Sequence, residues 1–181
     1  TDKEFEDKKK IFKNFNEYEK YFRKSEIIID NNERKNFIEK ELNKVIKKKN
    51  IAIEINKKLL EEVADLVDQP NILACTFDNR FLEIPKEILI ITMQLHQKYF
   101  HTLDKKNNIT NEFLVVANNK DLKGFIKIGN ENVVEARLSD AQFFWKKNKS
   151  QNLVKQVSKL NNINYFKGLG TYFDKIQRMR K

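Results

Sequence analysis

Cysteine, glycine, proline and histidine are all scarce among the 181 residues, and each scarcity removes a class of chemistry. The single cysteine, Cys75, excludes an internal disulfide and a cysteine zinc site. Its apolar setting, Leu73-Ala74-Cys75, reads as a buried and inert thiol rather than a nucleophile, and fits a reducing cytoplasm. The two histidines, His96 and His101, lack the spacing of a helical metal pair and have no HExxH pattern around them, so no metal site is expected. Gly124, Gly129, Gly168 and Gly170 are too dispersed for a phosphate-cradling loop, and no GxSxG elbow occurs. No apolar run approaches the ~20 residues of a membrane span. The longest candidate, Ile88 to Ile91, gives way to Thr92 and Gln94. No signal-peptide pattern opens the chain, and a start at Thr1 reads as a piece of a longer protein.

Lysine is abundant instead. The sequence holds 30 Lys, 22 Asn and 19 Ile, all with AT-rich codons, so a net charge of +10 could reflect genome composition as much as a ligand. The distribution of charge says more than its total. Residues 1–70 hold 17 Lys/Arg and 16 Asp/Glu, residues 71–140 hold nine of each, and residues 141–181 hold ten Lys/Arg against Asp174 alone. Codon bias acts on the whole chain and should not gather charge in one tail. Two readings of the tail stand side by side. It is a polyanion site, or a solvated helical surface whose acidic complement lies elsewhere in a longer protein.

Periodicity gives an α+β chain, with helices packed on a mixed or antiparallel sheet. Residues 2–10 read as a frayed helix, 16–24 as a short helix carrying Tyr18, Tyr21 and Phe22, and Ile27-Ile28-Ile29 as a strand. Asp30 and Glu33 resemble a capping box, opening a helix with Ile38, Leu42, Val45 and Ile46 on one face. Lys47, Lys48 and Lys49 end it and suit its dipole. Asn56 caps a second helix with Leu59, Leu60, Val63, Ala64 and Val67 inward. Strands are expected at 71–77, 98–103 and 112–118, the last two paired around a loop at 105–108. Pro85 suits the start of a helix reaching about Gln94. The clearest helix runs from Asn130 to Lys147, with Val134, Leu138, Ala141 and Trp145 as its apolar stripe and Arg137 three residues from Asp140. A helix at 152–160, a break at Gly168 and Gly170, and a helix capped by Thr171 and Asp174 complete the chain. Three segments are expected: 1–58, a small α/β piece; 59–150, the α+β core; and 151–181, a helical extension that begins a further domain.

Three stretches carry a resemblance. Ile84-Pro85-Lys86-Glu87-Ile88-Leu89-Ile90-Ile91-Thr92-Met93-Gln94 runs into His96-Gln97-Lys98-Tyr99-Phe100. Gly129-Asn130-Glu131 leads through Ala136-Arg137-Leu138 to Asp140-Ala141-Gln142-Phe143-Phe144. Leu169-Gly170-Thr171 is followed by Asp174-Lys175 and Arg178. In order and spacing these resemble the beta subunit of bacterial glycyl-tRNA synthetase, from about Leu59 to Arg178, with residues 1–58 matching in outline. His101 stands where the family usually has Pro, Asn132 and Glu135 where Arg is common, and Gln142 where Glu is common. The resemblance implies an α2β2 enzyme. Its alpha subunit carries the class II site that uses ATP, Mg²⁺ and glycine, and its longer beta subunit helps to hold tRNA-Gly. It also implies that the 59–150 core is similar to the B3/B4 modules of phenylalanyl-tRNA synthetase. An HD-like domain would follow, with its metal ligands outside this chain. No catalytic residue and no cofactor are expected within the 181 residues.

The phosphate candidates are Lys146, Lys147, Lys149, Lys155, Lys159, Arg178 and Arg180. Gln97, Lys98, Tyr99 and Phe100 could set a base-stacking aromatic beside a phosphate contact, or Phe100 could sit in the core with Lys98 solvated. Asn130 is expected to cap its helix, with Glu131 and Phe144 part of the same motif. Arg137 is expected to pair with Asp140 or with a buried carbonyl. Three functions compete: a tRNA-handling module of a ligase, a scaffold that joins domains or contacts the alpha subunit, and an editing hydrolase. The last is disfavoured because glycine has no smaller amino acid to confuse it.

Overall fold

The computed structural model describes residues 10–180, so the frayed helix expected at 2–10 lies, but for Lys10, outside the described residues. The chain folds as two compact units, Thr1–Gln142 and Phe143–Lys181. In order, the first contains α1 (Phe15–Arg23), α2 (Asn31–Lys49), α3 (Lys57–Leu66), β1 (Asn71–Thr76) and a 3₁₀ turn (Asn79–Glu83). Then come α4 (Lys86–Ile90), which continues as a π-helical turn (Ile91–His96), β2 (Phe100–Leu103) and β3 (Ile109–Ala117). α5 (Phe125–Lys149) follows, and its last residues belong to the second unit. That unit adds α6 (Leu153–Gln156), a 3₁₀ turn (Val157–Asn162), a hairpin of β4 (Asn164–Phe166) and β5 (Gly170–Thr171), and α7 (Tyr172–Met179).

The sheet of the first unit is antiparallel in the order β1-β3-β2. Its central strand reads Phe113-Leu114-Val115-Val116-Ala117 without polar alternation because both faces are covered. Phe113 and Val115, with Cys75 of β1, enter one cluster with Phe77, Phe81, Leu89, Met93 and Tyr99, closed by Val134 and Leu138 of α5. Leu114, with Phe100 of β2, enters a second cluster, closed by Ile38 and Leu42 of α2 and by Leu59, Leu60, Val63 and Ala64 of α3. The register sets Leu73 opposite Val115 and Phe100 opposite Leu114. β1 is an edge strand, and Glu131 of α5 blunts it: Oε1 accepts the Thr76 N–H at 2.8 Å and the Thr76 hydroxyl at 3.2 Å.

Several helix ends follow local chemistry. The Asp30 carboxylate accepts the Glu33 N–H at 2.8 Å, and Asn56 Oδ1 accepts the N–H groups of Lys58 and Leu59. Only half of the first capping box forms, because the Glu33 carboxylate turns to Arg23, 2.6 Å away. Asn50, at φ 55°, closes α2 in the left-handed conformation.

Other expectations are corrected. Ile27-Ile28-Ile29 is extended but joins no sheet, because most of its polar groups are taken. Arg34 Nη1 donates to the carbonyls of Ile28 (2.7 Å) and Ile29 (2.8 Å), Nε donates to Ala64 O (2.9 Å), and the Ile28 N–H donates to Asp68 O. α5 begins at Phe125 rather than Asn130, because the Asp121 carboxylate receives the N–H groups of Ile126 and Lys127. Asn130 is therefore interior to the helix and caps nothing. The helix expected to Gln94 widens into the π turn, and the one expected over 152–160 tightens to 3₁₀ after Gln156. The break at Gly168 and Gly170 is the turn of the β4–β5 hairpin, with both glycines at positive φ.

Arg34 ties the extended segment, α2 and α3 together, so Arg34→Ala should lower unfolding stability in urea by about 2–3 kcal/mol. Arg34→Lys should recover only part of the loss, since an ammonium does not reproduce the guanidinium fork. A wild-type midpoint for Arg34→Ala would show that the segment holds itself in place.

Candidate nucleic-acid interface

The two units differ first in charge. Residues 1–142 hold 26 Lys/Arg and 25 Asp/Glu, whereas residues 143–181 hold ten Lys/Arg and Asp174. In the first unit cations find acids: Arg23 pairs with Glu33, Lys49 with Glu112 and Lys120 with Glu26. In the second, Lys147, Lys149, Lys155, Lys159, Arg178 and Arg180 form no ion pair within 4 Å among the described residues, and all six are exposed. Asp174 is already engaged. Its Oδ2 accepts the Thr171 N–H at 2.7 Å and the Thr171 hydroxyl at 2.9 Å, and these bonds hold the carboxyl below its ordinary range. Ten cations against one carboxylate leave this unit with a net positive field.

Local structure spaces these cations. Lys146, Lys147 and Lys149 occupy the last turn of α5, where the helix dipole favours positive charge. Lys155 lies in α6, Lys159 in the 3₁₀ turn, Arg178 in the last turn of α7, and Arg180 just beyond it. Aromatic rings lie among them. Lys147 Nζ is 5.6 Å from the Phe143 ring centre, Lys149 Nζ is 5.9 Å from that of Trp145, and Lys175 Nζ is 4.2 Å from that of Tyr165. Phe143, Phe144 and Phe166 are each more than half exposed, and Trp145 is half-buried. Cations interleaved with open rings are what single-stranded nucleic-acid surfaces offer.

The Gln97-to-Phe100 segment lies in the first unit and is built for packing. Tyr99 and Phe100 are both buried, in opposite clusters. The Tyr99 ring stacks on Phe113 at 5.2 Å, burial raises its phenol pKa, and its hydroxyl donates to Asn130 Oδ1. Tyr99 therefore offers no face to a base, contrary to that expectation. Lys98 pairs with Glu62 at 2.5 Å, and Gln97 is half-buried. Arg137 and Asp140 are both exposed, and no ion pair joins them. Asn130 uses its amide on Ile126 O at 2.6 Å. The joints from Tyr99 to Asn130 and from Thr76 to Glu131 are not visible from sequence spacing. Asn130, set between Ile126 and Val134 at four-residue spacing, is the one hint.

The two most reactive side-chain types are muted. Burial pushes the Cys75 thiol up to about 12. His101 is enclosed, Gln94 Nε2 lies 2.9 Å from its Nδ1, and burial holds the ring below its ordinary value despite Glu54. Among the described residues no group of three or more His, Cys, Asp or Glu is placed to hold a metal ion, and no helix is long and apolar enough to cross a membrane.

A family profile described as glycyl-tRNA synthetase beta subunit matches residues 2–181. Similar curated proteins include the glycine–tRNA ligase beta subunit of Dictyoglomus thermophilum, 39% identical over 164 residues, covering 90% of this chain and 24% of that protein. That of Pseudomonas savastanoi pv. phaseolicola is 41% identical over 161 residues, covering 88% and 23%. That of Bacillus subtilis is 37% identical over 163 residues, covering 90% and 24%. The chain thus spans about a quarter of the length of the curated relatives it matches.

The depressed His101 pKa has a stability consequence. Above the unfolded value of ~6.5 both states are neutral and nothing is lost; below it the unfolded chain takes up the proton first, so stability falls. The wild type should therefore lose stability more steeply than His101→Gln, which keeps an acceptor for Gln94, as pH drops from ~6.5 to ~5. Parallel urea midpoints for the two proteins across that range would refute this.

Proposed function

The chain belongs to the glycyl-tRNA synthetase beta subunit family, and from that premise we propose that it serves tRNA-Gly binding and subunit assembly in ATP-dependent glycyl-tRNA formation. One observation carries the reading: ten Lys/Arg against one engaged carboxylate in residues 143–181. Lys146, Lys147, Lys149, Lys155, Lys159, Arg178 and Arg180 meet backbone phosphates, and each such pairing releases counterions. Lys98 is a weaker contributor because Glu62 already holds its ammonium. In an α2β2 assembly the alpha subunit handles glycine, ATP and Mg²⁺, and this chain supplies ligands to none of them. Residues 59–150, which contain the three-stranded sheet, correspond to a B3/B4-like module, and an HD-like domain belongs to the remainder of the subunit. The setting is the cytoplasm, where tRNA is charged.

A scaffold reading is favoured by a different observation. No described apolar side chain of the second unit is buried, and Leu153, Val154 and Met179 are each more than 70% exposed. Such side chains suit contact with another protein surface, in the alpha subunit or in the rest of the beta subunit. An editing hydrolase finds neither an activated nucleophile in Cys75 nor an accessible base in His101.

The discriminating experiment is tRNA-Gly binding by the full-length beta subunit with its alpha partner, measured as a function of salt. Reversing Lys146, Lys147, Lys155 and Lys159 to Glu should weaken binding at least tenfold near ~100 mM salt. The slope of log K against log salt should flatten by about 0.7–0.9 for each phosphate that a lysine no longer neutralises. Unchanged affinity would reject the RNA reading. Loss of alpha association with tRNA affinity retained would favour the scaffold.

A further inference from the structure

The β4–β5 hairpin carries a feature that a lysine array does not need. Phe166, 68% exposed, stands on β4, which its hairpin partner β5 anchors along one edge. It pairs with Gly170 across the hairpin, its carbonyl accepts the Leu169 N–H at 3.0 Å, and Ile163 O accepts the Tyr172 N–H at 2.9 Å. A concavity of about 420 Å³ lies against it, lined by Asn164, Tyr165, Phe166, Lys167, Gly168 and Gly170. It is an open surface depression, all of whose lining residues are exposed.

We propose that this hairpin is a stacking site for one unpaired nucleotide of the bound RNA, with Phe166 as the platform and Lys167, which lines the same concavity, beside its phosphate. The proposal rests on the RNA-binding reading above. The neighbouring rings are partly occupied: Tyr165 and Tyr172 meet edge to face at 5.3 Å, and Lys175 covers one face of Tyr165. Phe166 is the open ring. At Gly168 no atom lies within 4 Å of where a Cβ would stand, so a planar group can approach the turn backbone. Asp174, the one acidic residue of the unit, is fixed in the Thr171 capping box beside Gly170, and the lysines outnumber it. Lys167, lining the same concavity as the ring, favours a nucleotide over an apolar protein segment. Stacking also requires an unpaired base, because duplex faces are already stacked.

The test uses full-length beta subunit carrying Phe166→Leu, which keeps apolar bulk and removes the π face. It is titrated with a short single-stranded RNA containing 2-aminopurine and with an RNA duplex of equal length. Single-strand affinity should fall roughly five- to 100-fold, with loss of the fluorescence quenching that stacking causes. Duplex binding and the salt slope should stay as in wild type, since no charge is removed. Phe166→Trp should restore both single-strand signals. Unchanged single-strand affinity and quenching, or an equal loss on duplex, overturns the stacking site and leaves the lysine reading to its own salt experiment. A lowered melting temperature with unchanged RNA affinity assigns the ring to a protein contact and overturns it as well.

Discussion

Burial of β3 on both faces governs the first unit. Successive residues of that strand must serve different clusters, Phe113 and Val115 one and Leu114 the other. α5 is therefore required on one face, and α2 with α3 on the other. A slip of one residue would exchange the two sets of side chains, so register is strongly specified. The same constraint reaches β2. Tyr99 and Phe100 are adjacent in sequence yet enter opposite clusters, just after Lys98 takes a left-handed turn at φ 60°. What looks in sequence like an aromatic presented to a ligand is a chain switching between two cores.

Local signals were legible and long-range ones were not. Asp30, Asn56 and Thr171 cap helices through bonds spanning two or three residues, and such spacing can be read directly. The apolar stripes of α2 and α3, and the pairing of β2 with β3, followed from periodicity. Ile27-Ile28-Ile29 has strand composition, but its fate depends on Arg34 reaching across to Ala64, which no window of neighbours contains. The start of α5 was hidden because Gly124 and Gly129 read as breakers on either side of its first turn. The β4–β5 hairpin is too short for period-two alternation, and only its glycines marked it. Of the candidate site, the gathering of charge was visible in the sequence, whereas the aromatic rings among the lysines needed coordinates.

The residues that carry the family pattern are largely those that hold the fold. Tyr99 bonds to Asn130, Glu131 closes the β1 edge, and Leu138 fills a cluster. Gly170 has a positive φ and lies so close to the Asp174 carboxylate that any Cβ would collide with it. Resemblance through such positions identifies architecture well and ligand-binding groups poorly. The cations of the second unit lie outside those joints. This separates a charge-paired, doubly packed unit from one whose charge and apolar surface are both turned outward.

The edge of β1 also bears on the order in which the protein is made. Ile72-Leu73-Ala74-Cys75 leaves the ribosome well before β3, while β2 and β3 form a local hairpin that can close as soon as it emerges. β1 must therefore wait as an unpaired apolar strand, and Glu131, which shields its outer edge, is synthesised after its inner partner. The nascent chain is thus most vulnerable to wrong pairing between the appearance of β1 and that of α5, the interval in which a chaperone would have something to hold.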